Sequence, residues 1–257
     1  MFRKIRAVFG GGTTVETVVH TDVAVPGGEI AGVVEITGGE FEQEIRYVAL
    51  TLEARVEAET ENGEYQANHP FVAADVDGAF TLHPGEHRTV PFVLRLPLET
   101  PFNVLGGYDL PDVRLGLRTE LAIARSLDKG DFDPIRVAPL PAQERILAAL
   151  DHIGCRFKGS DLERGHIPGS TLDFYQELEF YPPREFRRIS ELEVTFLVGP
   201  DEMDVLLEAD RRRGFLDPGG ERVHRLSIGY EAIETENWEE IMRYHLHELA
   251  RRRGLFG

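Results

Sequence analysis

The chain has 257 residues, of which 42% are hydrophobic and 28% are charged, a composition that excludes extensive disorder. Its 45 acidic residues outweigh 28 basic ones, and the formal net charge of −17 opposes binding to nucleic acid or to a bulk anionic membrane. The single cysteine, Cys155, excludes an intramolecular disulfide and a thiolate zinc site.

The first residues combine basic and apolar side chains. Residues 1–12 are predicted to form a short amphipathic segment, with Phe2, Ile5, Val8 and Phe9 on one side of a short helix. Docking of this segment onto a domain is favoured over contact with a membrane surface, because so short a helix has little apolar area. No run of the sequence reaches the ~20 apolar residues of a membrane span. We therefore expect a cytoplasmic protein without an integral membrane segment.

Alternation of apolar and polar residues is the main structural signal of the sequence. Side chains that alternate in this way lie on opposite faces of a strand, which predicts antiparallel sheets with one buried face. The pattern occurs at Val48 to Ala58, Val90 to Leu96, Val113 to Ile123, Leu172 to Phe180, Leu192 to Val198 and His224 to Tyr230. The predicted fold class is therefore all-β, built from antiparallel sandwiches.

Prolines mark a division of the chain into two sandwiches. Pro134 to Pro141 favours an extended linker, a short helix follows at Ala142 to Leu150, and Asn237 can cap an amphipathic C-terminal helix. The predicted domains are an N-terminal sandwich at residues 13–140 and a C-terminal sandwich at residues 141–230. The C-terminal helix is assigned to residues 231–257.

Proline and glycine recur together before alternating strands in both halves. Proline at the second turn position presets φ, and glycine at the third accepts a positive φ, which predicts type II turns. The recurrence also suggests duplicated domains. The turns are Pro26-Gly27, Pro84-Gly85 and Pro168-Gly169.

A longer series of motifs runs along most of the chain. Asp22 to Val34 resembles the opening motif of arrestin-type domains. The motifs that follow are Gly38-Gly39 with Glu44 to Tyr47, Pro91-Phe92 with Leu96-Pro97 and Thr100-Pro101, Phe174 to Phe180, and Leu206 to Arg212. In this order the motifs resemble those of the bacterial sporulation-control protein family. The resemblance implies two tandem arrestin-like domains in an intracellular, non-enzymatic regulator of differentiation and cell-division control.

Several residues could be read as catalytic, metal-binding or ligand-binding, but a structural interpretation of each is favoured. Glu177 and Glu179 share a strand face that we interpret as solvated rather than as a glycosidase pair. His245 and His247 are two residues apart on a helix, unlike a zincin motif. Trp238 lies on the apolar face of the terminal helix, where docking onto the protein itself is favoured over ligand contact. We expect no enzyme activity, metal or cofactor.

Two functional hypotheses remain open. The first is a scaffold that binds protein partners, for which the preferred mode is addition of an extended segment to an open sheet edge. A homodimer through the same kind of edge is its main competitor. The second is a β-sandwich that binds a small molecule or a carbohydrate.

Overall fold

The computed structural model describes residues 6–8, 10–60, 63–123, 131–211 and 222–251, in two compact units, Met1–Ala138 and Pro139–Gly257. The described strands of the first unit follow in chain order. They are β1 (Arg6–Val8), β2 (Thr14–Val19), β3 (Glu29–Thr37), β4 (Gln43–Thr60), β5 (Gly63–Asp77), β6 (Phe80–Leu82), β7 (His87–Arg95), β8 (Val104–Leu105), β9 (Tyr108–Asp109), β10 (Leu115–Ile123) and β11 (Asp131–Pro134).

Two larger antiparallel sheets form the first unit. One has the strand order β1-β2-β3-β7. In the other, β10 and β5 flank β4, β11 lies beyond β10, and β6 pairs with the start of β4. The alternation predicted for β4 is confirmed, since Leu50, Leu52 and Ala54 are fully buried. β8 and β9 form a separate hairpin.

The buried faces of these two sheets meet at a polar contact. Thr17 in β2 and Thr119 in β10 are both buried, and their hydroxyl oxygens lie 2.5 Å apart. A buried hydroxyl without a partner would cost free energy, so each threonine satisfies the other. This contact therefore joins the two sheets inside the core.

The proline-rich segment after β11 is held by the first unit over most of its length. Val137 is fully buried, and its N–H donates to the side chain of Asn103 at 2.8 Å. Ala24 forms a parallel bridge with Val137, and the Ala138 N–H donates to the Ala24 carbonyl at 2.9 Å. The extended conformation thus comes with fixed backbone partners as far as Ala138.

The second unit has one antiparallel ladder and two α-helices among its described residues. Its elements are α1 (Pro141–His152), β12 (Arg156–Arg164), β13 (Phe174–Tyr181), β14 (Ile189–Val198), β15 (Glu202–Arg211), β16 (Arg222–Gly229) and α2 (Trp238–Ala250). The strands pair in sequence order from β12 to β16. The predicted all-β class is confirmed, with two helices added to the sheets.

Sequence signals explain where both helices begin. Pro141 occupies the first turn of α1, where its missing N–H has no helical partner to lose. The Oδ1 of Asn237 accepts the Glu240 N–H at 3.3 Å and caps α2. Met242, Leu246 and Leu249 form the buried side of α2. Neither helix in the described part of the chain is long and apolar enough to cross a bilayer.

The predicted N-terminal helix is wrong for residues 6–8, which form β1. This strand pairs antiparallel with β2, with Ala7 opposite Val15. Backbone pairing with an available strand outweighs the helical pattern of so short a segment, because an isolated helix of that length is unstable. Phe2, Ile5 and Phe9 lie outside the described residues, and Val8 is the last residue of β1.

Candidate functional site

β5 is the outermost strand beside β4 in the described part of the first unit. It is 15 residues long, and most of its described residues are exposed or partly exposed. Its backbone pairs with β4 along its whole length, from Thr60 opposite Gly63 to Val48 opposite Asp77. Such an edge presents backbone donors and acceptors to which another chain can add as a strand.

The strand register shows which β5 residues direct their backbone outward. The Arg55 N–H of β4 donates to the Arg114 carbonyl at 2.9 Å, so Arg55 faces β10 rather than β5. In an antiparallel ladder alternate residues face opposite neighbours. The β5 residues opposite Glu57, Arg55 and Glu53 therefore direct their backbone groups away from β4. These residues are Gln66, Asn68 and Pro70, of which Gln66 and Asn68 carry an outward N–H and Pro70 has only a carbonyl.

Side chains along this edge are fixed by contacts within the sheet. Glu53 is 4% exposed, and its carboxylate accepts the Asn68 side-chain amide at 3.1 Å and lies 3.5 Å from Arg118. Gln66 donates to Glu57 in the same way. Because these side chains project from the sheet face, they leave the strand edge accessible in its own plane.

The sequence pattern did not reveal β5. Its central residues, Gln66 to Pro70, do not alternate, and proline usually argues against a strand interior. Pro70 was nevertheless an available signal, because proline is tolerated at an edge position whose N–H would face outward. The register places Pro70 at such a position.

The three proline-glycine sites share one turn geometry. Each glycine has a positive φ, at 72°, 69° and 97° in chain order. The N–H after each glycine donates to the carbonyl three residues earlier, at 2.9, 3.0 and 2.8 Å. These features are those of a type II turn. The sites are Pro26-Gly27, Pro84-Gly85 and Pro168-Gly169.

Each of these turns is anchored by a distant residue, and at the first the Gly27 N–H donates to the Pro97 carbonyl at 3.1 Å. The Gly38 N–H donates to the Glu86 carbonyl at 2.8 Å, and a Cβ at Gly38 would lie 2.1 Å from the His83 carbonyl oxygen. Arg225 donates to the Pro168 carbonyl at 2.5 Å and to the Asp204 carboxylate at 2.6 Å. The turn residues therefore position strands and carry no reactive group.

Trp238 is the first residue of α2 and packs inside the second unit. It is 6% exposed, and its indole N–H donates to the Ile233 carbonyl at 2.9 Å. A ligand would have to displace this packing to stack on the ring. The burial and the hydrogen bond together give Trp238 a structural position at the start of the helix.

One face of the second unit carries carboxylates directly opposite one another. Asp161 pairs with Glu177 across β12 and β13, and Glu179, Glu193 and Glu208 form a row across β13, β14 and β15. Like charges opposite each other destabilise a sheet. In the structure these side chains are partly buried, so the face contacts solvent over only part of its surface.

Burial changes the proton affinity of this face. It raises the pKa of Glu177 to about 8 and that of Glu193 to about 7, and neighbouring carboxylates add to both shifts. Lys158 lies at one side, with its Nζ 2.6 Å from Glu191 and 3.2 Å from Glu179. At neutral pH the face therefore holds protons that an exposed carboxylate would have lost.

A cleft of about 350 Å³ opens on the first unit. Thr21 and Asp22 line it together with Asp109 and Arg136, whose Oδ1 and Nε atoms lie 2.9 Å apart. The volume is at the lower end of the range of small-molecule sites. Its lining is more polar than is usual for such sites, because an ion pair occupies part of the wall.

The fold and this strand edge define a mostly β protein of two units with an exposed edge for backbone pairing. A family model described as SpoOM protein matches residues 2–213. The chain is 35% identical over 263 residues to the sporulation-control protein spo0M of Bacillus subtilis (strain 168), over 97% of this chain and 98% of the relative. The crystal structure of Spo0M, sporulation control protein, from Bacillus subtilis matches with a TM-score of 0.81 and 32% identity, over 92% of this chain and 98% of that chain. The chain belongs to the SpoOM family, and the resemblance seen in the sequence is confirmed.

Proposed function

We propose that the protein is a non-catalytic regulatory scaffold that binds protein partners in the control of differentiation or cell division in the cytoplasm. Membership of a family whose curated relative is named for sporulation control supports the regulatory role. The exposed edge of β5 supports binding through the backbone rather than catalysis.

The partner presents an extended segment that adds to β5 as a further strand. Gln66 and Asn68 supply backbone groups on the outward side, and the side chains beside them are held by Glu57 and Glu53. Main-chain hydrogen bonds provide affinity in this mode, and side chains of alternate residues provide specificity. The net charge of −17 favours a segment with basic residues.

Self-association through the same edge is the competing outcome. Two copies that each carry a charge of −17 repel one another more strongly when salt is low. A basic partner has the opposite salt dependence, because its attraction to the chain is screened as salt increases. Sedimentation across a salt series therefore distinguishes a homodimer from a complex with a basic partner.

A proline substitution at the edge tests the proposal. Asn68→Pro removes an outward N–H without removing a ladder bond to β4, so the fold tolerates the change while strand addition does not. The matched control is Asn68→Ala, which keeps the N–H and loses the same side-chain amide. The three proteins are compared as bait in affinity capture from the source cells.

Partners recovered by the native sequence and by Asn68→Ala should be lost with Asn68→Pro. Circular dichroism and thermal melting of each bait establish that all three are folded. Equal recovery by Asn68→Pro of every partner that the native sequence captures would show that β5 is not the binding edge.

The cleft beside Arg136 supports a second candidate function, the binding of a small molecule or carbohydrate. A ligand that binds the native state raises the melting temperature. A thermal-shift screen with metabolites and sugars tests this function, with Arg136→Ala as the variant expected to lose any stabilisation. A stabilising ligand whose effect depends on Arg136 would favour this function over the scaffold.

A further inference from the structure

A pair of histidines joins α2 to β16 in the second unit. His224 lies in β16 and His245 in α2, and both side chains are partly buried. Their Nδ1 atoms are 3.3 Å apart, and the rings meet edge to face with centroids 5.5 Å apart. The pair therefore forms one direct polar contact between the helix and the strand.

The chemistry of imidazole limits this contact to particular proton states. A neutral imidazole has one N–H donor and one acceptor nitrogen, whereas imidazolium has two donors and no acceptor. A hydrogen bond between the two Nδ1 atoms therefore needs a proton on one and a lone pair on the other. When both rings are imidazolium the bond is lost, and two positive charges face each other across the same short distance.

The surroundings of the pair oppose the doubly protonated state. Burial lowers the pKa of His245, the charge of His224 lowers it further, and Glu248 one turn away acts in the opposite direction. The Tyr244 ring packs against His245 with centroids 5.2 Å apart and brings no second positive charge.

Other charged groups that face α2 lie away from the pair. Arg243 pairs with Glu185 on the 3₁₀ turn at Arg184–Phe186, and Glu239 lies 2.9 Å from His152 of α1. The His152 ring faces a carboxylate, whereas the His245 ring faces a second imidazole, so the two histidine contacts of α2 differ in the charge of the partner.

We propose that the His224–His245 pair is a proton-operated latch that holds α2 on β16 at neutral pH and releases the helix when both rings are protonated. The latch is a property of the second unit and is independent of strand addition at β5. Release exposes the surface of β16 that α2 covers, while the contact between α1 and α2 through His152 and Glu239 persists.

The lowered pKa of His245 determines how the stability of the folded unit changes with pH. A histidine whose folded pKa lies below its ordinary value of 6.5 contributes stability that is fully present above that value. The contribution is lost as the pH falls below 6.5. Each unit by which the pKa of His245 is lowered corresponds to a factor of up to about ten in the opening equilibrium.

Hydrogen exchange of the full chain tests the latch. Backbone exchange in β16 and α2 is measured at pH 7.5 and pH 5.5 and corrected for the intrinsic pH dependence of amide exchange. His245→Asn removes one titrating ring but keeps an amide donor and acceptor near the Nδ1 position, with similar helix propensity. His247→Asn is the matched control, because His247 lies in the same helix as His245 but packs on Phe186 and takes no part in the pair.

The native chain should lose protection in β16 and in α2 on acidification, by up to about tenfold, and the α1 peptides should change less. His247→Asn should behave like the native chain, and His245→Asn should lose most of the pH dependence. Ring-nitrogen NMR of the native chain should show double protonation only over the pH range in which protection falls. A full pH response in His245→Asn, or unchanged protection when both rings are shown to be protonated, would overturn the proposal.

Discussion

Replacement of Glu177 by glutamine should stabilise the protein at neutral and alkaline pH. The substitution keeps the shape of the side chain and removes one negative charge from the carboxylate face, where Asp161 lies directly opposite. The face is partly buried, so each charge there is poorly solvated as well as repelled by its neighbours.

The pKa of Glu177 sets an upper limit to the effect. A rise from 4.5 to about 8 corresponds to ~5 kcal/mol of unfavourable free energy for the charged form above pH 8. Solvent contact and salt reduce this figure, and we expect a gain on the order of 1 kcal/mol. For a chain of this length that gain raises the melting temperature by roughly 2–4 °C.

The pH dependence distinguishes this mechanism from a general effect of net charge. The folded native chain binds more protons than the unfolded chain between pH 4.5 and about 8, so its stability increases as the pH falls through that range. Glu177→Gln should show a shallower increase, and its advantage should diminish towards pH 4.5.

Denaturant unfolding at several pH values measures these differences. Glu202→Gln is the control, because Glu202 is exposed at the start of β15 in the same sheet and gives the same change in net charge. If Glu177→Gln gained no more stability than Glu202→Gln at pH 8, the argument that buried repulsion destabilises this face would be wrong.

Three further predictions concern the Thr17–Thr119 contact in the core, the contact between Arg225 and Asp204, and the division of the chain into two units. Thr119→Val should cost about 1–3 kcal/mol because it strands the Thr17 hydroxyl, whereas the double variant with both threonines changed to valine should recover most of that loss in a denaturation cycle. Burial raises the pKa of Asp204, but hydrogen bonds from Arg225 and Ser227 and the charge of Arg225 outweigh burial and lower the pKa overall. The stability deficit of Asp204→Asn should therefore be full at pH 7 and should diminish as the pH falls below 3.8. Limited proteolysis should leave fragments that correspond to Met1–Ala138 and Pro139–Gly257, and a single fragment with no such division would contradict autonomous folding of the units.

Strands with one buried face were the most predictable part of the fold. In β7 the alternation is regular, with Val90, Phe92 and Leu94 buried and the residues between them exposed, because one side contacts the core and the other contacts solvent. The two α-helices were also predictable, since Pro141 begins α1 and Asn237 caps α2 immediately before Trp238. Both signals depend on residues that are close together in the sequence, so they can be recognised without knowing how distant parts of the chain pair.

The candidate binding edge could not be predicted in the same way. No residue of β5 from Tyr65 to Asp77 is buried, so burial does not impose a regular pattern on residues such as Gln66 and Asn68. Its position outside β4 depends on pairing across the chain, which the sequence of β5 alone does not specify. The prediction of an N-terminal helix was wrong for a related reason, because pairing of β1 with β2 outweighed the helical pattern of that segment.

The carboxylate face shows most clearly what strand register adds to a sequence pattern. Alternation places Glu177 and Glu193 on the polar sides of β13 and β14, but only pairing brings Asp161 and Glu208 opposite them. Burial of that face favours protonation as the pH falls from about 8, whereas the His224–His245 pair opposes protonation below 6.5. Between pH 8 and pH 6.5, protonation of the carboxylates increases the stability of the second unit and the histidine pair does not yet reduce it. The second unit should therefore be more stable at pH 6.5 than at pH 8, and further acidification should loosen α2 while the carboxylate face continues to gain stability.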